Sequence, residues 1–173
     1  MAYFGRAMRT ALLVAAALLV TSCGRSKDEE IAASAAPVRY VVAGLSRPGA
    51  WKADKCLCVG HFREDAVEDF PPGLLDAEYA RHPWLHKWSE CEAVYGRTKR
   101  LTGCSGGLTD FICSVSDRTD LPRGTARVIC HVNGESEAMQ KEGYLQDEYD
   151  VTADDGRYTV HPVSQKASDK IHE

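Results

Sequence analysis

Beyond residue 20 this 173-residue chain has no long apolar run. A helical membrane span needs about 20 consecutive apolar residues, so the body of the protein reads as soluble. The chain also lacks an excess of basic charge: 21 Lys and Arg face 25 Asp and Glu, for a formal net charge of −4. A mildly acidic domain is a poor match for nucleic acid or for an anionic lipid surface. No internal repeat is visible, and no acidic stretch has the EF-hand spacing that would hold Ca²⁺.

What is present starts near residue 11. Ala11–Val20 is an uninterrupted apolar run, preceded by Arg6 and Arg9 and followed by Thr21, Ser22 and Cys23. Ten residues rise about 15 Å as a helix, roughly half the hydrocarbon core, which is short for a permanent span. A positive start, an apolar centre and small residues before a cleavage point make a secretory signal. Met1 opens it, and Met8-Arg9 with the same run is also complete. Val20-Thr21-Ser22-Cys23 resembles the lipobox of bacterial lipoproteins, a likeness confined to residues 1–23. It implies that residues 1–22 are removed and that Cys23 becomes an acylated (palmitate-bearing) N-terminus. By the same resemblance, Gly24 rather than Asp after the cysteine favours the outer membrane, with the domain facing the periplasm. Several acyl chains anchor stably, at about 0.8 kcal/mol per buried CH₂.

Removing 22 of 173 residues leaves 151, the size of one domain. Loss of Arg6 and Arg9 takes the formal charge from −4 to −6. Residues 23–37 read as the lipidated cysteine and a flexible tether, since Gly24–Pro37 is polar, charged and Ala/Ser-rich. Fourteen such residues average about 20 Å end to end and reach at most about 50 Å. Residues 38–163 read as a single globular domain, and 164–173 as a polar, frayed tail.

Seven cysteines are an odd number. With Cys23 assigned to lipid, Cys56, Cys58, Cys91, Cys104, Cys113 and Cys130 remain, an even set that reads as a disulfide framework in an exported domain. One pair follows from strand geometry. Phe111–Val115 and Arg127–Val132 read as strands, and Asp117–Gly124 between them carries turn residues. A hairpin centred near Leu121-Pro122 places Cys113 opposite Cys130, closing a loop of about 15–18 residues worth roughly 3 kcal/mol. Cys56 and Cys58, two apart on one strand face, are expected to bond elsewhere, with Cys91 and Cys104 as candidates.

The remaining elements follow from pattern. Val38–Leu45 and Cys56–Phe62 read as strands. Arg63–Phe70 reads as an acidic helical turn, Leu74–Ala80 as a short helix, and Arg97–Gly107 as loop. Pro83–Tyr95 is the clearest helix, with Pro83 at its first turn, Gly96 after its end, and Trp84, Trp88, Cys91 and Tyr95 along one stripe. Leu108–Val115 and Thr125–Val132 are strands, Asn133-Gly134 suits a hairpin turn, and Glu135–Glu142 is charged enough to be helical. Gly143–Thr152 and Arg157–Val163 form a hairpin through Asp154-Asp155-Gly156. The expected class is α+β: a small, mainly antiparallel sheet packed by one or two helices and stabilised by disulfides.

Several constellations bear on chemistry. Cys56-x-Cys58-x-x-His61 has soft ligands suited to Cu(I) or Zn(II), although disulfide pairing would occupy both sulfurs. Gly103-Cys104-Ser105-Gly106-Gly107 matches G-x-S-x-G, yet a nucleophile elbow needs a strand before it and a helix after, and neither context is read here. His82 and His86 have i, i+4 spacing, broken by Pro83. His131 and His161 read as ordinary strand residues. The clusters Glu64, Asp65, Glu68, Asp69 and Asp147, Glu148, Asp150, Asp154, Asp155 read as solvated faces. The expectation is therefore a membrane-anchored envelope lipoprotein, not an enzyme, without cofactor. It would act as a binding module, as an inhibitor or immunity-type protein or an envelope assembly component, with a protein partner. The alternative is periplasmic Cu/Zn handling through Cys56, Cys58 and His61.

Overall fold

The computed structural model describes residues 25–94, 101, 103–134 and 145–165. The signal, Cys23, Tyr95, Glu135–Glu142 and the 166–173 part of the tail lie outside them. Within them the chain runs α1 (Lys27–Leu45), β1 (Cys56–Arg63), β2 (Ala66–Glu68), α2 (Asp76–Arg81), β3 (Leu85–Lys87), α3 (Trp88–Glu92), β4 (Leu108–Val115), β5 (Thr125–Gly134), β6 (Leu145–Asp154) and β7 (Arg157–Gln165). The strands form one mixed seven-stranded sheet in the order β2-β1-β4-β5-β6-β7, with β3 also on β1. The α+β class stands, with more sheet than expected. β1 runs parallel to both β3 and β4, while the other pairings are antiparallel.

The largest correction is α1. It occupies most of the expected tether, Gly24–Pro37, and all of the expected strand Val38–Leu45. Ser26 and Glu29 form a reciprocal capping box: Glu29 N donates to Ser26 Oγ at 3.2 Å and Ser26 N donates to Glu29 Oε2 at 2.9 Å. Asp28, Glu29 and Glu30 complement the positive end of the helix dipole. The alanines that follow are the strongest helix formers, which offsets Pro37 within the helix. Val38, Val41, Val42 and Leu45 stand at i, i+3, i+4 and i+7 and are buried against the sheet.

Below α1, the inner sheet face presents Leu57, Val59, Phe111, Val128, Val132, Tyr149 and Val151. Tyr149 is fully buried, its hydroxyl donating to Asp147 Oδ2 at 3.1 Å. Burial together with the Asp147 carboxylate pushes the Tyr149 phenol well above its ordinary range. Cys113 lies directly opposite Cys130 on this face, and the two are disulfide-bonded as the hairpin register requires.

Two further segments differ from their local pattern. Arg63–Phe70 is no helical turn: β1 turns back into β2, with Arg63 paired to Ala66 and Glu64 at a φ of 56°. Pro83–Tyr95 is not one helix. Leu85–Lys87 is strand β3, beside Leu57–Val59, and only Trp88–Glu92 is helical. The outer edge of β1 takes up Leu85–Lys87, with Leu57 N donating to Trp84 O at 2.8 Å, and this pairing overrides the helical periodicity. Trp84 packs on Trp51 and His82 instead of extending a stripe toward Trp88. Asn133-Gly134 is part of β5 rather than a turn. The hairpin through Asp155-Gly156 is present, with both residues at positive φ (45° and 75°), the requirement of a type I′ turn.

Candidate functional site

Successive residues of β1 point to opposite sheet faces. Leu57, Val59 and His61 face α1 and the apolar core, while Cys56, Cys58 and Gly60 face the other way. Cys56 is bonded to Cys104 and Cys58 to Cys91. One disulfide fastens the Gly103–Gly107 loop to the strand and the other fastens α3. Cys56 N donates to Gly107 O at 3.1 Å, and Gly106 N donates to Asp54 O at 2.7 Å, so the loop is also held by backbone. Gly60 lets α3 and β2 approach: a Cβ there would stand 3.0 Å from Trp88 Cβ and 2.8 Å from Val67 Cγ1.

The set Cys56, Cys58 and His61 is therefore not brought together. Both sulfurs are in disulfides, and His61 lies three residues from Cys58, an odd offset that turns it to the opposite face. His61 is 2% exposed, and its ring packs 5.2 Å from the Phe70 ring. In its place the fold assembles Cys56, Cys104 and His86, whose ligand atoms all lie within 4.8 Å of one another. β3 carries His86 there, in register with Cys58. His86 Nε2 stands 3.7 Å from Cys104 Sγ, and Nδ1 stands 3.1 Å from Glu90 Oε2. A carboxylate only accepts, so Nδ1–H is the donor and Nε2 is aimed at sulfur. The His86 side chain is 17% exposed and Glu90 half exposed, so the cluster lies just beneath the surface.

The other sequence candidates are dispersed. Ser105 is exposed and is followed by strand β4, not by a helix, so the elbow geometry is absent there. His82 ends α2, against Trp84 and 3.4 Å from Ser46 Oγ. His131 lies edge-on to Phe62 on the face away from α1, and burial holds its imidazole below the ordinary value. His161 is exposed on β7.

Several members of the acidic clusters have side-chain partners. Asp69 accepts from Ser89 N at 2.8 Å and Ser89 Oγ at 2.6 Å, capping α3. Glu68 pairs with Arg63 and Glu64 with Lys27. Glu148 and Asp150 clamp the nearly buried Arg127 at 2.9 and 2.7 Å. That clamp raises the Arg127 pKa further, the Asp150 hydrogen bond being the main cause.

Sequence reasoning missed the His86–Glu90 pair. Its only local signal is the i, i+4 spacing of an imidazole and a carboxylate at the start of a short helix. Comparison with protein-family models, with curated proteins and with solved structures finds no match to this chain.

Proposed function

We propose that this protein is an envelope lipoprotein, anchored through Cys23, whose disulfide-braced domain binds another protein without catalysing a reaction. The observation that carries the reading is how the cysteines divide. The six that follow Cys23 pair off completely as Cys56–Cys104, Cys58–Cys91 and Cys113–Cys130. That leaves Cys23 as the odd sulfur, at the position the lipobox assigns to acylation. Three disulfides in one small domain suit an oxidising compartment.

On this reading the start of the first helix sets how the domain is displayed. α1 is capped at Ser26, and the Arg25 guanidinium donates to Thr125 O. The described chain thus begins two residues after Cys23, a separation of at most about 7 Å. The domain sits against the bilayer surface instead of ranging on a long tether. Among the described residues no helix is long and apolar enough to cross a membrane; in this reading the acylated Cys23 makes the attachment. A partner would be met at the membrane surface: a secreted toxin or lytic enzyme to be neutralised, or a component of an envelope assembly.

Cells fed an alkyne-tagged palmitate should label the wild-type protein and not Cys23→Ala, and the variant should leave the membrane fraction. Deletion of the gene should raise sensitivity to competitor toxins or lytic enzymes, with wild type restoring resistance and Cys23→Ala failing to. Labelling that persists in Cys23→Ala would overturn the anchor. Unchanged sensitivity, together with no stable complex in crosslinked membranes, would overturn the binding role.

A further inference from the structure

We infer that Cys56, Cys104 and His86 form a Zn²⁺ site that exists only when the Cys56–Cys104 disulfide is reduced. This rests on the geometry of the cluster and not on the anchor or the binding role. Two thiolates and an imidazole are a recognised zinc donor set, with a fourth tetrahedral position left to water or a ligand. With Zn–S near 2.3 Å and Zn–N near 2.0 Å, a tetrahedral S···N edge is about 3.5 Å. The 3.7 Å between Cys104 Sγ and His86 Nε2 already approximates that edge. The imidazole is also oriented as zinc-bound histidines are. Glu90 accepts from Nδ1–H, which fixes the ring with Nε2 facing the sulfurs, the atom a bound Zn²⁺ would take.

The backbone holds the three ligands independently of the disulfide. Cys56 and His86 stand on paired strands β1 and β3. Cys104 is in a loop tied to the start of β1 by Cys56 N to Gly107 O and to the residues just before it by Gly106 N to Asp54 O. Cleaving the S–S bond therefore frees two sulfurs beside a fixed imidazole rather than releasing the loop.

The chemistry balances. Two small-molecule thiols reduce the disulfide: both S–H protons and two electrons pass to Cys56 and Cys104, and the reductant leaves as its own disulfide. Zn²⁺ then binds both sulfurs as thiolates, and two protons go to solvent. Because the metal binds only the reduced form, it draws the Cys56/Cys104 couple toward reduction by mass action. The other two disulfides have no such imidazole within reach among the described residues.

The test is a redox titration of the full folded protein in glutathione buffers, with and without free Zn²⁺ clamped by a chelator. Each cysteine is read by differential alkylation and peptide mass. With Zn²⁺, Cys56 and Cys104 should open in a buffer at least about tenfold less reducing, while Cys58–Cys91 and Cys113–Cys130 stay where they were. His86→Ala should abolish the shift and His82→Ala should leave it whole. Glu90→Gln should weaken Zn²⁺ binding about tenfold while the ligands remain. Co²⁺ in place of Zn²⁺ should give thiolate-to-metal charge-transfer bands only in the reduced protein. The proposal is overturned if Zn²⁺ shifts all three disulfides together, if it shifts none, or if the shift survives His86→Ala.

Discussion

The two faces of β1 are held by different means. On one, Leu57 and Val59 are buried under α1, and stability comes from apolar area removed from water. On the other, Cys56 is bonded to a loop that backbone hydrogen bonds also hold, and Cys58 is bolted to a five-residue helix that buries little of its own. α1 is a long element that contributes Val38, Val41, Val42 and Leu45 to the core. Of α3 only Cys91 is buried. A segment with so little apolar surface cannot offset the entropy of ordering its backbone, and a covalent bond supplies what packing does not. The helix face should therefore respond to cavity mutations, and α3 to loss of the Cys58–Cys91 disulfide.

The sharpest way to break that contrast is to remove sulfur. Replacing Cys58 and Cys91 together by Ala opens a 33-residue separation, for which chain entropy predicts a loss of about 4 kcal/mol. Hydrogen exchange should show α3 and β3 losing protection while α1 keeps its own. A uniform loss of protection would mean that the two faces are one cooperative unit.

The complementary experiment acts on the helix face. Val42 is 2% exposed, and Val42→Ala should cost about 2 kcal/mol through lost transfer energy and the cavity left behind. Urea unfolding measures the loss, and all three disulfides should still form. If Val42→Ala costs no more than an exposed substitution, α1 is not the lid of this core.

The same contrast governs what could be read from the chain. β4, β5 and the β6–β7 hairpin were legible because their residues alternate and their turn residues leave few options; Asp155-Gly156 is one case. Cys113–Cys130 followed from that register alone. The α1 region runs against its strand-like and tether-like composition, although two helical signals stand in plain sequence. Ser26-x-x-Glu29 is a capping box, and Val38, Val41, Val42 and Leu45 have helical spacing behind a strand-like composition. β3 was not legible locally, because what makes it a strand is Leu57–Val59, nearly thirty residues away. The candidate metal ligands divide in the same way. That His61 faces away from Cys58 follows from the two-residue period of a strand. That His86 meets Cys104, 18 residues further on, depends on the β1–β3 pairing and on the backbone bonds that hold the Gly103–Gly107 loop beside β1.

A smaller effect tests whether α1 is fastened at its start. Ser26→Ala removes the oxygen that accepts from Glu29 N and should cost about 1 kcal/mol in urea unfolding. Fraying should appear by hydrogen exchange in the first turn and not near Val42. An unchanged midpoint would show that the contacts of Ala33–Val38 hold the helix without its cap.

The smallest expected effect returns to the face away from α1. His131 is edge-on to Phe62, ring centroids 5.5 Å apart, and burial lowers its pKa from the ordinary 6.5. The folded state then binds a proton less readily than the unfolded chain. As pH falls through 6.5 the unfolded chain takes up that proton first, so stability declines. The decline levels off once pH is below the folded value, where both states are protonated. Above 6.5 both states are neutral and His131 contributes nothing to the slope. His131→Gln should therefore flatten the fall in urea midpoint on the acid side of 6.5, with the plateau above it shaped as in wild type. Val42→Ala, on the other face, should lower the whole curve without changing its shape. If His131→Gln only lowers the curve, the imidazole is protonated as easily in the folded protein as in the unfolded chain, and its burial beside Phe62 does not resist charge.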